Sequence, residues 1–239
     1  MSRIDHLKKL YELLDQLEHA SGGKQSLREL GPAASYPRKG VYFFFEPGEE
    51  RTCTGRGPRL TRVGTHGLVS GAKSTLRQRL SQHRGNATGG GNHRGSIFRL
   101  LVGEALSARG SCQSSASWGR RNSFAAATLE LRISRSDLKA SEAPIESAVS
   151  HYLGRMSFVL LPIDDEPGRD SLRGLIERNT IALLSNLDRE PLDAPSSAWL
   201  GRSSVRRHVA VSGLWNQRHV DQTYDPEFLQ TFADLASSV

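Results

Sequence analysis

The chain has 239 residues, 37% hydrophobic and 24% charged, a composition that supports a packed core and excludes a disordered polymer. Lys and Arg outnumber Asp and Glu by 32 to 25, a net charge of +7; that balance favours polyanionic partners, because basic groups release counterions when they neutralise phosphates. No apolar run reaches the roughly 18–20 residues of a membrane helix, and MSRIDHLKKLYELLDQLEHA has no secretory h-region. Cys53 and Cys112 lack metal-ligand spacing, so the expected setting is cytoplasmic and reducing, with neither a zinc site nor a disulfide framework.

Residues 3–20 place Ile4, Leu7, Leu10, Leu13, Leu14 and Leu17 at helical spacing. They predict an amphipathic helix, in an extension over 1–36, that packs on the core or on a second copy in a homodimer. GVYFFF, from Gly40, predicts a buried strand, and EPGEERTCTGRGP a long turn-rich tip. LTRVG then returns as the antiparallel partner. Ser74 is a candidate N-cap for a helix over about 75–84, with Leu76 and Leu80 buried. GNATGGGNHRG is a glycine-rich loop and IFRLLVGEAL a short helix. ARGSCQSSASWGRRNS is linker-like, within an insertion expected over 104–140, where ATLELRIS reads as strand or helix. APIESAVSHYLGRM predicts a helix, SFVLLPID a buried strand, and DSLRGLIERNTIALLSNL a largely buried helix that completes a central domain over 37–190. A C-terminal extension, 191–239, ends in an amphipathic helix. The fold class expected is α/β of the α+β kind: a small, mainly antiparallel three-stranded sheet flanked by helices.

Candidate chemistry follows the same order. Tyr42 lies in Gly40-Val41-Tyr42 on the first strand; Arg62-Val63-Gly64 closes the second and runs into Thr65-His66. Arg79 and His83 sit four apart on the next helix, and Glu177 interrupts an apolar one, where a buried charge needs a partner. This arrangement resembles the GIY-YIG nuclease superfamily. Gly40-Val41-Tyr42 matches the first tripeptide, Arg62-Val63-Gly64 occupies the second, and Arg79 falls on the helix after the hairpin. Glu177 takes the strand-then-helix context of the metal-binding glutamate, and the Arg79-x-x-x-His83 pairing is similar to the type II restriction-enzyme branch. The resemblance covers roughly residues 38–190. Arg62 departs from it, standing where the family usually has tyrosine.

The resemblance implies a metal-dependent endonuclease acting on DNA, double-stranded by analogy with the restriction branch. Tyr42 would take a proton from water, helped by the cations His83, Arg79 and Arg62, since opposite charge favours the ionised acid. Arg79 would clamp the phosphate. Glu177 would hold one Mg²⁺ or Mn²⁺. Glu146, which also opens a helix, is the rival ligand. The motif asparagine is Asn186, in LLSN, or Asn216, in LWN. His66 would line the cleft, and Asn92, His93 and Arg94 would contact DNA from the glycine-rich loop. The competing expectation is a nucleic-acid-binding protein that keeps the fold without turnover, because the second tyrosine is missing.

Overall fold

The computed structural model describes residues 1–86, 88–120 and 123–239. Its centre is a four-stranded antiparallel sheet in the order β1-β4-β2-β3. The strands are β1 (Gln25–Ser26), β2 (Gly40–Glu50), β3 (Pro58–Gly64) and β4 (Ser157–Pro162). The run GVYFFF becomes the interior strand β2, paired with β3 on one side and β4 on the other. That double pairing explains why it is apolar at every position rather than alternating. The fourth strand is the short β1, whose two residues carry no readable period.

Alternation along β2 sorts its side chains between two cores. Val41, Phe43 and Phe45 join Leu60, Val63, Val159 and Leu161 on one face. Tyr42 and Phe44 join Phe158 and Leu160 on the other. Opposite β2, Phe44 pairs with Arg62 and Phe45 with Leu60. Thr61 is therefore an extra residue at a bulge, which keeps Arg62 and Gly64 on the Tyr42 face while Leu60 and Val63 stay on the other.

Eight helices are described, and six of them cover the two faces. Against the first pack α1 (Arg3–Ala20), α6 (Leu172–Leu184) and α8 (Phe228–Ala236); against the second pack α2 (Leu76–Arg84), α3 (Ile97–Ala108) and α5 (Arg135–Leu153). The leucine stripe of α1 is thus covered within the chain, and both the N-terminal helix and the tail share cores with the sheet. The cap of α2 is Thr75, one residue beyond the expected Ser74, in a reciprocal capping box with Gln78.

Residues 108–120 of the linker-like stretch are docked; residues 121 and 122 lie outside the described residues. Trp118 Nε1 donates to the Leu100 carbonyl at 3.2 Å, and the indole lies where a Cβ on Gly103 of α3 would be. The ATLEL part of ATLELRIS is helix, the end of α4 (Phe124–Leu131), and Arg132 caps it in the left-handed conformation. Helix α5 begins at Arg135 and carries Pro144 inside it, so the proline that looks like a helix start is an interior residue. Short α7 (Arg207–Ser212) precedes the Trp215 segment. Glu46, buried, accepts from the indole N–H groups of Trp199 and Trp215 at 3.1 and 3.0 Å and from the Tyr152 hydroxyl, tying the tail to β2. Among the described residues no helix is long and apolar enough to cross a membrane.

Candidate active site

The end of the β2–β3 hairpin, α2, α6 and the loop after Trp215 enclose a cleft of about 660 Å³. Tyr42, Arg62, His66, Arg79, Glu177 and Asn216 line it, joined by Gln217, Arg218 and His219. Tyr42 faces Gly64 across the strand pair. A side chain at 64 would overlap the Tyr42 hydroxyl and come within 2.7 Å of its ring edge. Glycine closes the second tripeptide because the phenol occupies the space of its Cβ.

The Tyr42 hydroxyl lies 2.9 Å from His83 Nε2, and His83 Nδ1 lies 2.8 Å from Ser96 Oγ. His83 is fully buried, and burial holds its pKa well below the ordinary value, reinforced by the charges of Arg79, Arg62 and Arg99. It is therefore neutral, which corrects the expectation that it supplies positive charge to Tyr42. With one ring proton it relays polarity between two hydroxyls. Ser96 Oγ accepts the Arg99 amide at 3.3 Å; when its own proton goes to Nδ1, the imidazole proton sits on Nε2, toward Tyr42.

The cations are Arg62 and Arg79. Arg62 is buried over the Phe98 ring, 4.6 Å from its centroid, donates Nη1 to the Trp215 carbonyl, and leaves Nε without a partner. Burial lowers its pKa, with the neighbouring Tyr42 oxygen acting the other way. Arg79 is half-buried and spends Nη1 on Gln82 Oε1 and the Gly95 carbonyl, both at 3.0 Å. Across the cleft, Glu177 Oε1 accepts the Thr65 N–H at 3.2 Å, and the Thr65 hydroxyl donates to the Gly40 carbonyl at 2.7 Å. Burial raises the Glu177 pKa, opposed first by His219 and then by Arg62. Burial and the Arg173 charge push His66 down to about 4, and its Nε2 has no hydrogen-bond partner.

A family model described as GIY-YIG domain matches residues 1–239, the whole chain. The chain belongs to the GIY-YIG family. No curated protein and no solved structure matches it.

GIY-YIG proteins are endonucleases that generally use divalent metals. Among the described residues no group of three or more His, Cys, Asp or Glu side chains could hold one. A closed protein cage is therefore not built. Glu177 is half-buried at the cleft with one oxygen turned to Thr65. That donor suits a hard cation which keeps most of its waters.

Several expected site residues lie elsewhere in this GIY-YIG chain. Asn186 Oδ1 accepts from Arg3 at 3.0 Å and from the Leu192 N–H at 2.9 Å, closing the end of α6 away from the cleft. Asn216 does reach the cleft, yet its amide is taken by β3: Oδ1 accepts the Val63 N–H at 3.2 Å and Nδ2 donates to the Val63 carbonyl at 2.8 Å. It caps the free edge of the sheet. Glu146, the rival ligand, accepts from His93 N at 2.6 Å, His93 Nδ1 at 3.0 Å and Arg99 Nε at 2.9 Å. Burial works to raise its pKa, but the His93 hydrogen bonds and the Arg99 charge prevail and hold it below the ordinary value.

The same cluster absorbs two expected DNA contacts. His93 is buried beside Glu146, and Arg94 forks onto Glu142 at 2.7 Å to each oxygen. Glu142 and Glu146 are successive buried carboxylates on α5, neutralised by Arg94 and Arg99 respectively. Asn92 is exposed and caps the 3-10 turn His93–Gly95 by accepting the Arg94 N–H at 3.1 Å. The loop glycine Gly91 makes room for the Arg99 guanidinium, which a Cβ there would overlap. Arg99 in turn donates to the His83 and Arg84 carbonyls at 3.0 and 3.2 Å, so the cluster fixes the end of α2 that carries His83.

Sequence reasoning missed Ser96, Arg99 and His219. Ser96 is legible as the N-cap of α3, but its second role behind His83 is tertiary.

Proposed function

We propose that the protein is a metal-dependent endonuclease that hydrolyses phosphodiester bonds of DNA, double-stranded by preference. The observation that supports this reading is that the Tyr42–His83–Ser96 chain opens on the same cleft as Arg79 and Glu177. Tyr42, as phenolate, takes a proton from the attacking water. His83 Nε2–H and the Arg62 cation hold its oxygen, so the arginine at the second-motif position does part of the work expected of a tyrosine. The water oxygen bonds to phosphorus, the bond to the leaving sugar oxygen breaks, and that oxygen is protonated from solvent. Arg79 offers its remaining guanidinium donors to the phosphoryl oxygens. Glu177 would hold a Mg²⁺ or Mn²⁺ ion, which when bound supplies charge stabilisation at the phosphate. One such site cuts one strand, so cutting both takes two copies or two successive nicks.

The test is plasmid cleavage with Mg²⁺ or Mn²⁺. Tyr42→Phe and Glu177→Ala are expected to lose activity while still binding DNA in a salt-sensitive way. Full activity in both variants sinks the assignment. Salt-sensitive binding by the wild type with no cleavage in any divalent metal supports the second reading, a binding protein without turnover, which Arg62 at the tyrosine position motivates.

A further inference from the structure

The loop after Trp215 is held more firmly than a tail needs to be. Trp215 N donates to the Thr61 carbonyl at 2.7 Å, Asn216 is bonded twice to Val63, and Val220 is fully buried. Between these anchors the backbone turns so that His219 has φ +65°. That left-handed conformation is uncommon for a residue with a Cβ and is a recurrent property of functional positions. The turn is strapped to the helix that carries Glu177: Arg189 donates Nη1 to the Ala182 carbonyl of α6 at 2.7 Å and Nη2 to the Gln222 carbonyl.

The strap fixes the imidazole as well as its backbone. His219 Nδ1 lies 2.9 Å from Gln222 Oε1. An amide oxygen only accepts, so Nδ1 carries the proton, and in the neutral ring the lone pair falls on Nε2. Histidines that bind metals are commonly prepared this way, with the far nitrogen donating to a carbonyl that sets tautomer and orientation. His219 and Glu177 line the same cleft.

We propose that His219 is a second protein ligand of the divalent metal at Glu177, giving the site one carboxylate oxygen and one imidazole nitrogen. The inference rests on the reading that Glu177 binds the metal. It carries a preference: imidazole suits first-row transition ions, whereas Mg²⁺ takes oxygen and water. The site should therefore favour Mn²⁺ over Mg²⁺ beyond what a lone carboxylate gives.

The experiment is a Mn²⁺ titration of the full chain, followed by electron paramagnetic resonance, with Mg²⁺ as competitor. His219→Gly is the main variant, because glycine accepts the left-handed backbone. It is expected to weaken Mn²⁺ binding by roughly tenfold or more, by analogy with losses at metal-site histidine supports, and to weaken Mg²⁺ less. Gln222→Ala should give a smaller loss of Mn²⁺ affinity in the same direction. The proposal is overturned if His219→Gly binds Mn²⁺ like wild type while Glu177→Ala has lost it, or if His219→Gly weakens only DNA binding. Equal Mn²⁺ binding by wild type and Glu177→Ala overturns the metal role of Glu177 itself.

Discussion

Glu146→Ala separates a structural carboxylate from a metal ligand. Glu146 accepts Arg99 Nε and Nη2 at 2.9 and 2.5 Å and holds His93 through two further hydrogen bonds. Arg99 has no exposed surface. Alanine leaves its guanidinium buried beside a vacancy, with only the α2 carbonyls, the residue 146 carbonyl and Ser150 as partners. Breaking a buried pair by removing one partner costs about 3–5 kcal/mol. For a chain of this size each kcal/mol moves the midpoint by roughly 2–4 °C, so the melting midpoint should fall by ~6–20 °C. The assay is a circular-dichroism melt, with Mn²⁺ affinity measured well below the lowered midpoint. Metal affinity is expected to be unchanged in the folded variant, because Glu146 is outside the Glu177 cleft. A midpoint within about 2 °C of wild type, together with lost metal binding, refutes the reasoning and restores Glu146 as a ligand.

Other outcomes follow from the same geometry. Gly64→Ala should abolish cleavage and lower stability by roughly 1–3 kcal/mol, as overpacking does, read from plasmid nicking and urea melts; a fully active variant would show that Tyr42 need not hold its position. His83 should show no imidazole titration between about pH 5 and 8 by NMR, since burial depresses its pKa; a midpoint inside that window would restore it as a cation. Metal affinity should fall as pH drops through a Glu177 pKa raised above the ordinary carboxylate value of about 4.3, since the proton competes for the carboxylate. Measured by Mn²⁺ titration, an acid limb at or below the ordinary value would contradict that burial effect. Asn92→Ala and Asn186→Ala should leave the cleavage rate within about twofold when assayed below their midpoints, because neither side chain lines the cleft.

The strands and most helices were legible because each carries a period: aromatic and β-branched runs for β2 and β4, leucine spacing for α1 and α2. Tyr42, Arg79 and Glu177 were legible because their order along strand, helix and helix is itself a pattern, and they meet at one cleft. What the pattern hides is partnership. Gly64 is legible only as the last residue of the second tripeptide; the fold adds that the Tyr42 ring fills its side-chain space. His93 and Arg94 read as surface groups of a polar loop, and only the fold shows the two α5 carboxylates, some fifty residues away in the chain, that bury them. His83 reads as a cation because residue type says nothing about the loss of water around a ring. Residues around Trp118 look like linker because their anchor, the Leu100 carbonyl, belongs to another element.

The Asn216 amide on Val63 spans 153 positions in the sequence, as does the Arg62 bond to the Trp215 carbonyl. During synthesis the hairpin, α2 and α6 are all made before either contact can close. A nascent chain that ends short of Trp215 holds Tyr42, Arg79 and Glu177 but leaves the β3 edge open and Arg62 untethered. On the proposed reading, the cleft is completed only once the Trp215–Asn216 segment has been made and has docked on β3, so assembly of the site is tied to a contact of high sequence separation.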